Sequence, residues 1–256
     1  MEKSAFIRNF EEFGTKMYVL AILSIVSIFT QGIVALVMFI LMLISLKHIK
    51  NANIDLNNEK LEKFRKYIIY AVIVGIIGVI LILITGFLIG MLFMQTFPSF
   101  TFTGPISVSE FQQIAPWIRI LLLVLLAGLP VGAIALGLLL FAWSNLELFI
   151  KRNSGLFPDH ISPQAIEGSR KVKKSYLLLI ICLLIAMGMV LVAIFVFPQI
   201  ESLVIYFIQG TTPPPGLTIG IIAGFGIPAI IIVILGITSF ILGISGYFKL
   251  GRLRNL

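Results

Sequence analysis

The chain has 256 residues, 59% of them hydrophobic and 12% charged, with a mean hydropathy of +1.10 and a formal net charge of +8. Soluble domains carry about 25% charged residues, and the shortfall excludes a single soluble core, which needs a polar surface around it. Lys and Arg cluster beside long apolar runs, so the basic balance reads as a membrane-flanking bias and not as a nucleic-acid footprint.

In chain order, residues 1–16 are too polar and too mixed in charge for a cleaved signal peptide. Phe6, Phe10, Phe13 and Met17 recur at helical spacing, which predicts an amphipathic helix lying on the membrane or facing a partner. Arg8 with Glu12, and Glu12 with Lys16, form i,i+4 pairs on its other side. The apolar run 17–46 is read as one long span. Its alternative is a re-entrant hairpin turning at Gln31-Gly32, with arms of about 14 residues that are short for a crossing. Further runs occupy 67–97, 117–149, 175–197 and 217–248, each longer than the roughly 20 residues that span the hydrocarbon core. None alternates like a barrel strand, and helices satisfy their own backbone groups in lipid. The expected fold class is therefore all-α, a polytopic transmembrane bundle of about five spans forming a single domain over 1–256.

The loops orient it. Loop 47–66 carries Lys47, Lys50, Lys60, Lys63, Arg65 and Lys66; loop 150–174 carries Lys151, Arg152, Arg170, Lys171, Lys173 and Lys174; the tail adds Lys249, Arg252 and Arg254. Loops 98–116 and 198–216 contain neither Lys nor Arg. The positive-inside rule places the basic set in the cytoplasm of a cell-membrane protein and, with an odd number of spans, the N-terminus outside. Lys3, Arg8 and Lys16 resist that placement, although Glu2, Glu11 and Glu12 nearly balance them. Leu61 and Phe64 keep helical spacing ahead of Ile68, and Ser162-Pro163 is a helix-start signal with a capping hydroxyl. Both loops should thus continue as helix beyond the bilayer.

The runs also share a pattern. Phe97-Pro98 and Phe197-Pro198 close the second and fourth; Pro130 and Pro228 lie inside the third and fifth. Glu12-Phe13 matches Glu110-Phe111, and the same offset carries Gly32 to Pro130 and Lys151 to Lys249. This predicts a parallel two-span repeat followed by half a unit. Each odd-numbered run is interrupted near its middle, at Gln31-Gly32, at Pro130 flanked by Gly128 and Gly132, and at Pro228 after Gly224 and Gly226. Proline interrupts the hydrogen-bond ladder, so runs three and five should kink. These breaks are candidate midplane sites, against the plainer reading of kinks that ease packing. Small residues at four-residue spacing, Ala71/Gly75, Gly86/Gly90, Gly128/Gly132 and Gly216/Gly220/Gly224, let helix backbones approach closely in a bundle or an oligomer seam.

Chemistry is sparse. Cys182 is the only cysteine and lies in an apolar run; His48 and His160 lie in loops, so no catalytic, cofactor or metal set is expected. Arg119 beside Trp117 suits snorkelling, and Glu147 stands four residues before Lys151, the spacing of a helical ion pair. No phosphate loop, nucleophile elbow or zinc motif is present. The aromatic segment Phe97, Phe100 and Phe102 and the stiff Thr211-Thr212-Pro213-Pro214-Pro215-Gly216 stretch read as outer caps or contact points.

An apolar span, the short basic loop Ile44-Ser45-Leu46-Lys47-His48-Ile49-Lys50-Asn51 and a second Gly-containing span, in an Ile-rich and Cys-poor chain, resemble uncharacterised multi-span membrane proteins of archaea. The resemblance covers most of the chain in texture and implies a fold and an archaeal source, with no activity attached. The expected function is a non-enzymatic accessory or structural subunit, partnered by the lipid bilayer, by other membrane-protein subunits or by copies of itself. The alternatives are a channel or carrier for a neutral or apolar solute working through the interrupted helices, and a lipid-modifying enzyme using a cleft at Ser144, Asn145 and Glu147.

Overall fold

The computed structural model describes residues 4–30, 33–97 and 106–256, and among them every regular element is helical. The elements are α1 (Ala5–Val26), α2 (Ile33–Leu56), α3 (Glu59–Thr96), α4 (Val108–Arg152), α5 (Ser162–Phe195), α6 (Phe197–Ile208), α7 (Pro215–Ile221) and α8 (Ile227–Leu250). A π-helical turn, Ile222–Gly226, joins α7 to α8, and 3-10 turns occupy Ser154–Leu156 and Gly251–Asn255. Five stretches are long and apolar enough to cross a bilayer: α2, α3, α4, α5 and the composite Pro215–Asn255. The all-α membrane bundle is thus the observed architecture. The helices overrun their apolar cores, α3 starting at Glu59 and α5 at Ser162.

The chain forms two compact units. The first comprises 1–72, 135–180 and 235–256; the second comprises 73–134 and 181–234. Helices α1 and α2 belong wholly to the first, whereas α3, α4, α5 and α8 contribute to both.

In the first unit the start of the chain departs from expectation. The run 17–46 is not one helix. α1 extends from Ala5 to Val26 and α2 begins at Ile33, and the two pack against each other as a hairpin. Serine and threonine hydroxyls that bond their own backbone compete with the helix ladder, and they do so where α1 ends. Ser27 Oγ donates to Ser24 O at 2.7 Å and Thr30 Oγ1 to Val26 O at 3.3 Å, while Phe29 N–H donates to Val26 O at 3.0 Å. Gln31 and Gly32, the proposed turning point, lie outside the described residues. No boundary falls at 16/17, and the Phe6, Phe10, Phe13, Met17 stripe is not laid on a membrane. Phe10, Phe13 and Met17 are fully buried in the chain's own core, with Phe6 packed against it. Phe10 stacks on Phe149 (centroids 5.7 Å, 7°) and meets Phe157 edge-on at 5.2 Å; Phe13 meets Phe64 edge-on at 6.2 Å, and Phe64 meets Trp143 at 5.3 Å. Periodicity identifies the apolar face of a helix; Leu46, Ile49 and Leu61 complete the core that covers it.

The same unit brings α1 against the C-terminal tail. Gly14 lies so close to the tail that a Cβ there would stand 2.4 Å from Arg254 N. Tyr18 packs edge-on to Phe248 at 5.6 Å, with the Arg254 guanidinium 3.8 Å above its ring. α1 therefore sits among the tail and the two basic segments and does not face away from them.

Between α2 and α3 the chain turns in two residues. Asn57 adopts φ 42°, which asparagine tolerates. Asn53 Oδ1 accepts the Asn58 N–H at 2.8 Å, and Asn58 Oδ1 caps α3 by accepting the Lys60 N–H at 2.9 Å. α5 begins at Ser162 as expected, but not by the expected cap. Ser162 Oγ is buried without a hydrogen-bond partner, and the carbonyls of Pro158 and Ile161 accept the Ser162 and Ala165 amides.

In the second unit α4 opens with a reciprocal box: Ser107 N–H donates to Glu110 Oε2 at 2.7 Å and Glu110 N–H to Ser107 Oγ at 3.2 Å. α4 then continues as one helix through Pro116 and Pro130. In run five the interruption takes the form of the π-helical turn that precedes Pro228. Run 198–216, expected as a loop, contains the apolar helix α6, and only 211–214 stay extended between turn and helix. Run one is a hairpin while run three is a single 45-residue helix, so the first copy of the expected repeat is not built like the second. Pro98, Phe100 and Phe102 lie outside the described residues.

Candidate functional site

Polar groups converge at two places in the first unit. One is an ion cluster formed by α4, α5 and α8. Glu147, 8% exposed, accepts from Arg170 Nε at 3.0 Å and from Lys173 Nζ, both on α5. Its expected partner Lys151 is not engaged, because Glu147 lies on the face of α4 that meets α5 while Lys151 is exposed. Glu167 bridges Lys171, at 3.3 Å, and Lys249, and Lys171 Nζ also donates to Ser245 Oγ at 2.9 Å. Both oxygens of Glu147 are thus occupied by cations, which fastens α4 to α5, while Glu167 fastens α5 to α8. Asn145 donates to Phe141 O of its own helix at 2.8 Å, so its amide is turned to the backbone.

The other is a cavity of about 400 Å³ between the hairpin and the helices α5 and α8. α1 contributes Ser24 and Ser27 near its end; α5 contributes Ser175, Tyr176 and Leu179; α8 contributes Gly236, Ser239, Phe240, Gly243 and Tyr247. Positions 236, 239, 243 and 247 recur at i, i+3, i+7 and i+11, so one face of α8 forms this wall. Ser175 Oγ and Ser239 Oγ are 2.9 Å apart, and Ser239 Oγ donates to Ser175 O at 2.9 Å. At the base of the wall the rings of Trp143 and Tyr247 meet at 5.9 Å, and Trp143 Nε1 is buried without a hydrogen-bond partner.

The sequence-derived candidates lie elsewhere. Pro130 on α4 and Pro228 on α8 belong to the second unit, and neither lines this cavity. The small-residue seams divide into two kinds. Gly128 and Gly132 are used inside the chain, where a Cβ would lie 3.4 Å from Ile82 Cδ1 and 3.2 Å from Leu183 Cδ1. A Cβ on Gly86, Gly90, Gly216, Gly220 or Gly224 meets nothing within 4 Å, and the same holds for Gly75. A closer helix approach involves glycines that the spacing did not pick out. Gly168 on α5 faces Gly246 on α8, and a Cβ on either would stand 2.8 Å from the other's carbonyl oxygen. Their partnership runs between distant segments, so no spacing within one helix signals it. The serine face of α8 was equally unmarked, since Gly236, Ser239 and Gly243 read as ordinary small residues in a span.

Among the described residues no group of three or more His, Cys, Asp or Glu side chains is placed to hold a metal ion. No protein-family model matches the sequence, and neither curated proteins nor solved structures provide a match.

Proposed function

We propose that the protein is a non-catalytic subunit of a membrane assembly, joined to copies of itself or to other subunits through the glycine faces of α3 and α7. The observation that carries the reading is the open space at Gly86 and Gly90, and at Gly216, Gly220 and Gly224. Lipid chains are as apolar as leucine, so no hydrophobic drive favours small residues at a lipid-facing surface; close approach of another helix does. Among the described residues nothing lies within 4 Å of a Cβ on those faces, which supports a partner from outside. The basic segments and both termini face the cytoplasm in this reading, by the bias of Lys and Arg. The archaeal-type resemblance fits the reading without adding a function to it.

The test is native mass and subunit content after gentle extraction from the source membrane, repeated with Gly86→Leu/Gly90→Leu. The expected result is a multi-subunit particle or homo-oligomer that the double variant weakens while the folded monomer persists. A monodisperse monomer from native membranes overturns the reading.

A further inference from the structure

We infer that the cavity between the hairpin and α5/α8 binds a neutral single-chain amphiphile whose head is a hydroxyl group. Protein interiors are normally close-packed, yet α8 turns Gly236 and Gly243 towards this space. A Cβ on Gly236 meets nothing within 4 Å, and one on Gly243 meets only Ser175, at 3.4 Å. The walls are polar in a specific sense. A serine hydroxyl has one proton to donate and two lone pairs to accept with. Ser24 donates to Leu20 O at 2.8 Å, Ser27 to Ser24 O at 2.7 Å and Ser239 to Ser175 O at 2.9 Å. With the Ser239 proton committed, the 2.9 Å contact between Ser175 Oγ and Ser239 Oγ makes Ser175 the donor. All four serine protons are therefore engaged within the protein while the serine lone pairs remain, so the serine side of the cavity is complementary to a hydrogen-bond donor.

That head is uncharged. Of the cavity's lining residues none is Asp, Glu, Lys, Arg or His, and an ammonium or carboxylate taken out of water without a counter-charge is strongly disfavoured. Met38, Leu179 and Phe240 supply the apolar remainder of the wall. The size is that of a small-ligand site: at about 30 Å³ per heavy atom of liquid, 400 Å³ holds roughly a dozen heavy atoms. That matches one medium-length chain with its hydroxyl and is too small for a two-chain lipid. This inference does not depend on the assembly reading above, which concerns α3 and α7.

The test uses the full chain in liposomes with two photoreactive probes, a diazirine-bearing twelve-carbon alcohol and its methyl ether, which differ only in the hydroxyl proton. The expected result is labelling by the alcohol of the peptides around Ser24–Ser27, Met38 and Phe240, displaced by excess 1-dodecanol and at least tenfold weaker with the ether. Gly236→Leu, which fills the cavity from α8, removes the labelling. Should that variant fail to fold, Ser24→Ala/Ser27→Ala deletes two acceptors without adding volume and lowers alcohol labelling several-fold. Equal labelling by alcohol and ether shows a crevice filled by any chain and overturns the inference, as does labelling that a folded Gly236→Leu leaves unchanged.

Discussion

Replacing Gly246 by alanine puts a methyl group where α5 already is. The new Cβ would stand 2.6 Å from Val172 Cγ2, 2.8 Å from Gly168 O and 2.9 Å from Val172 N. Two of these are backbone atoms of a helix and cannot rotate aside, and carbon contacts are favourable only near 3.5–4.0 Å. The helices must separate by about 0.7 Å, and a gap of that order forfeits a quarter to a half of each contact well around it. Overpacking of this kind costs about 1–3 kcal/mol. The Ser175–Ser239 bonds, two turns away on both helices, would be stretched as well, at about 0.6 kcal/mol per interhelical bond in a membrane. Alanine's better helix propensity returns about 1 kcal/mol. The net expectation is a loss of about 1–3 kcal/mol for Gly246→Ala, with Gly168→Ala similar and the double variant less than additive, because both relieve the same contact. Trp143 is fully buried in the first unit, so its fluorescence during titration from mild detergent into dodecyl sulfate reports the loss of packing, with Trp117→Phe as background. A midpoint unchanged or raised in Gly246→Ala refutes the argument that α5 and α8 touch through backbone.

Glu147→Gln keeps the shape of the side chain but removes the charge that Arg170 and Lys173 share. With the cations half-exposed and the carboxylate nearly buried, a loss of about 1–2 kcal/mol is expected in the same titration; no loss would mean that the cluster is only a surface pairing. Ser4→Cys and Asn255→Cys, each made in a Cys182→Ala background, should react with an impermeant maleimide from the same side of sealed vesicles. Labelling from opposite sides would contradict the packing of α1 on the tail.

The class and the number of spans were legible because apolar run length is a local property: about 20 residues suffice to recognise a span, and α3, α4 and α5 each take in nearly all of their runs while starting well before them. The Phe10, Phe13, Met17 stripe was equally plain, and so was the helix it marks. Its destination was not, since a stripe bears the same period whether lipid, a partner or Phe149 covers it. Glu147 illustrates the same limit for charge. Lys151 four residues on is a valid partner by spacing, but the fold brings Arg170 and Lys173 from α5 closer. For glycine the four-residue rule identified seams that the chain leaves open and passed over the Gly168–Gly246 contact, where one glycine from each helix is enough. The cavity was invisible for a related reason: its four serines come from three helices, and in the sequence each is a lone hydroxyl in apolar text.

The hairpin also accounts for the charges that fitted least. Arg8 and Lys16 stand on the wrong side only if 17–46 crosses once. With α1 and α2 folded back on each other, Arg8 and Lys16 lie on a helix that packs against the tail carrying Arg254. The arms are also longer than the 14 residues expected of a re-entrant hairpin: α1 has 22 residues, and α2, with 24, is itself long and apolar enough to cross a bilayer. Ser24 and Ser27 both bond the backbone where α1 ends and form part of the cavity wall. The hydroxyls that end the helix are therefore the same ones that give the cavity its acceptors. If so, replacing Ser27 by alanine affects the turn and the cavity together, whereas Gly236→Leu closes the cavity and leaves the turn intact.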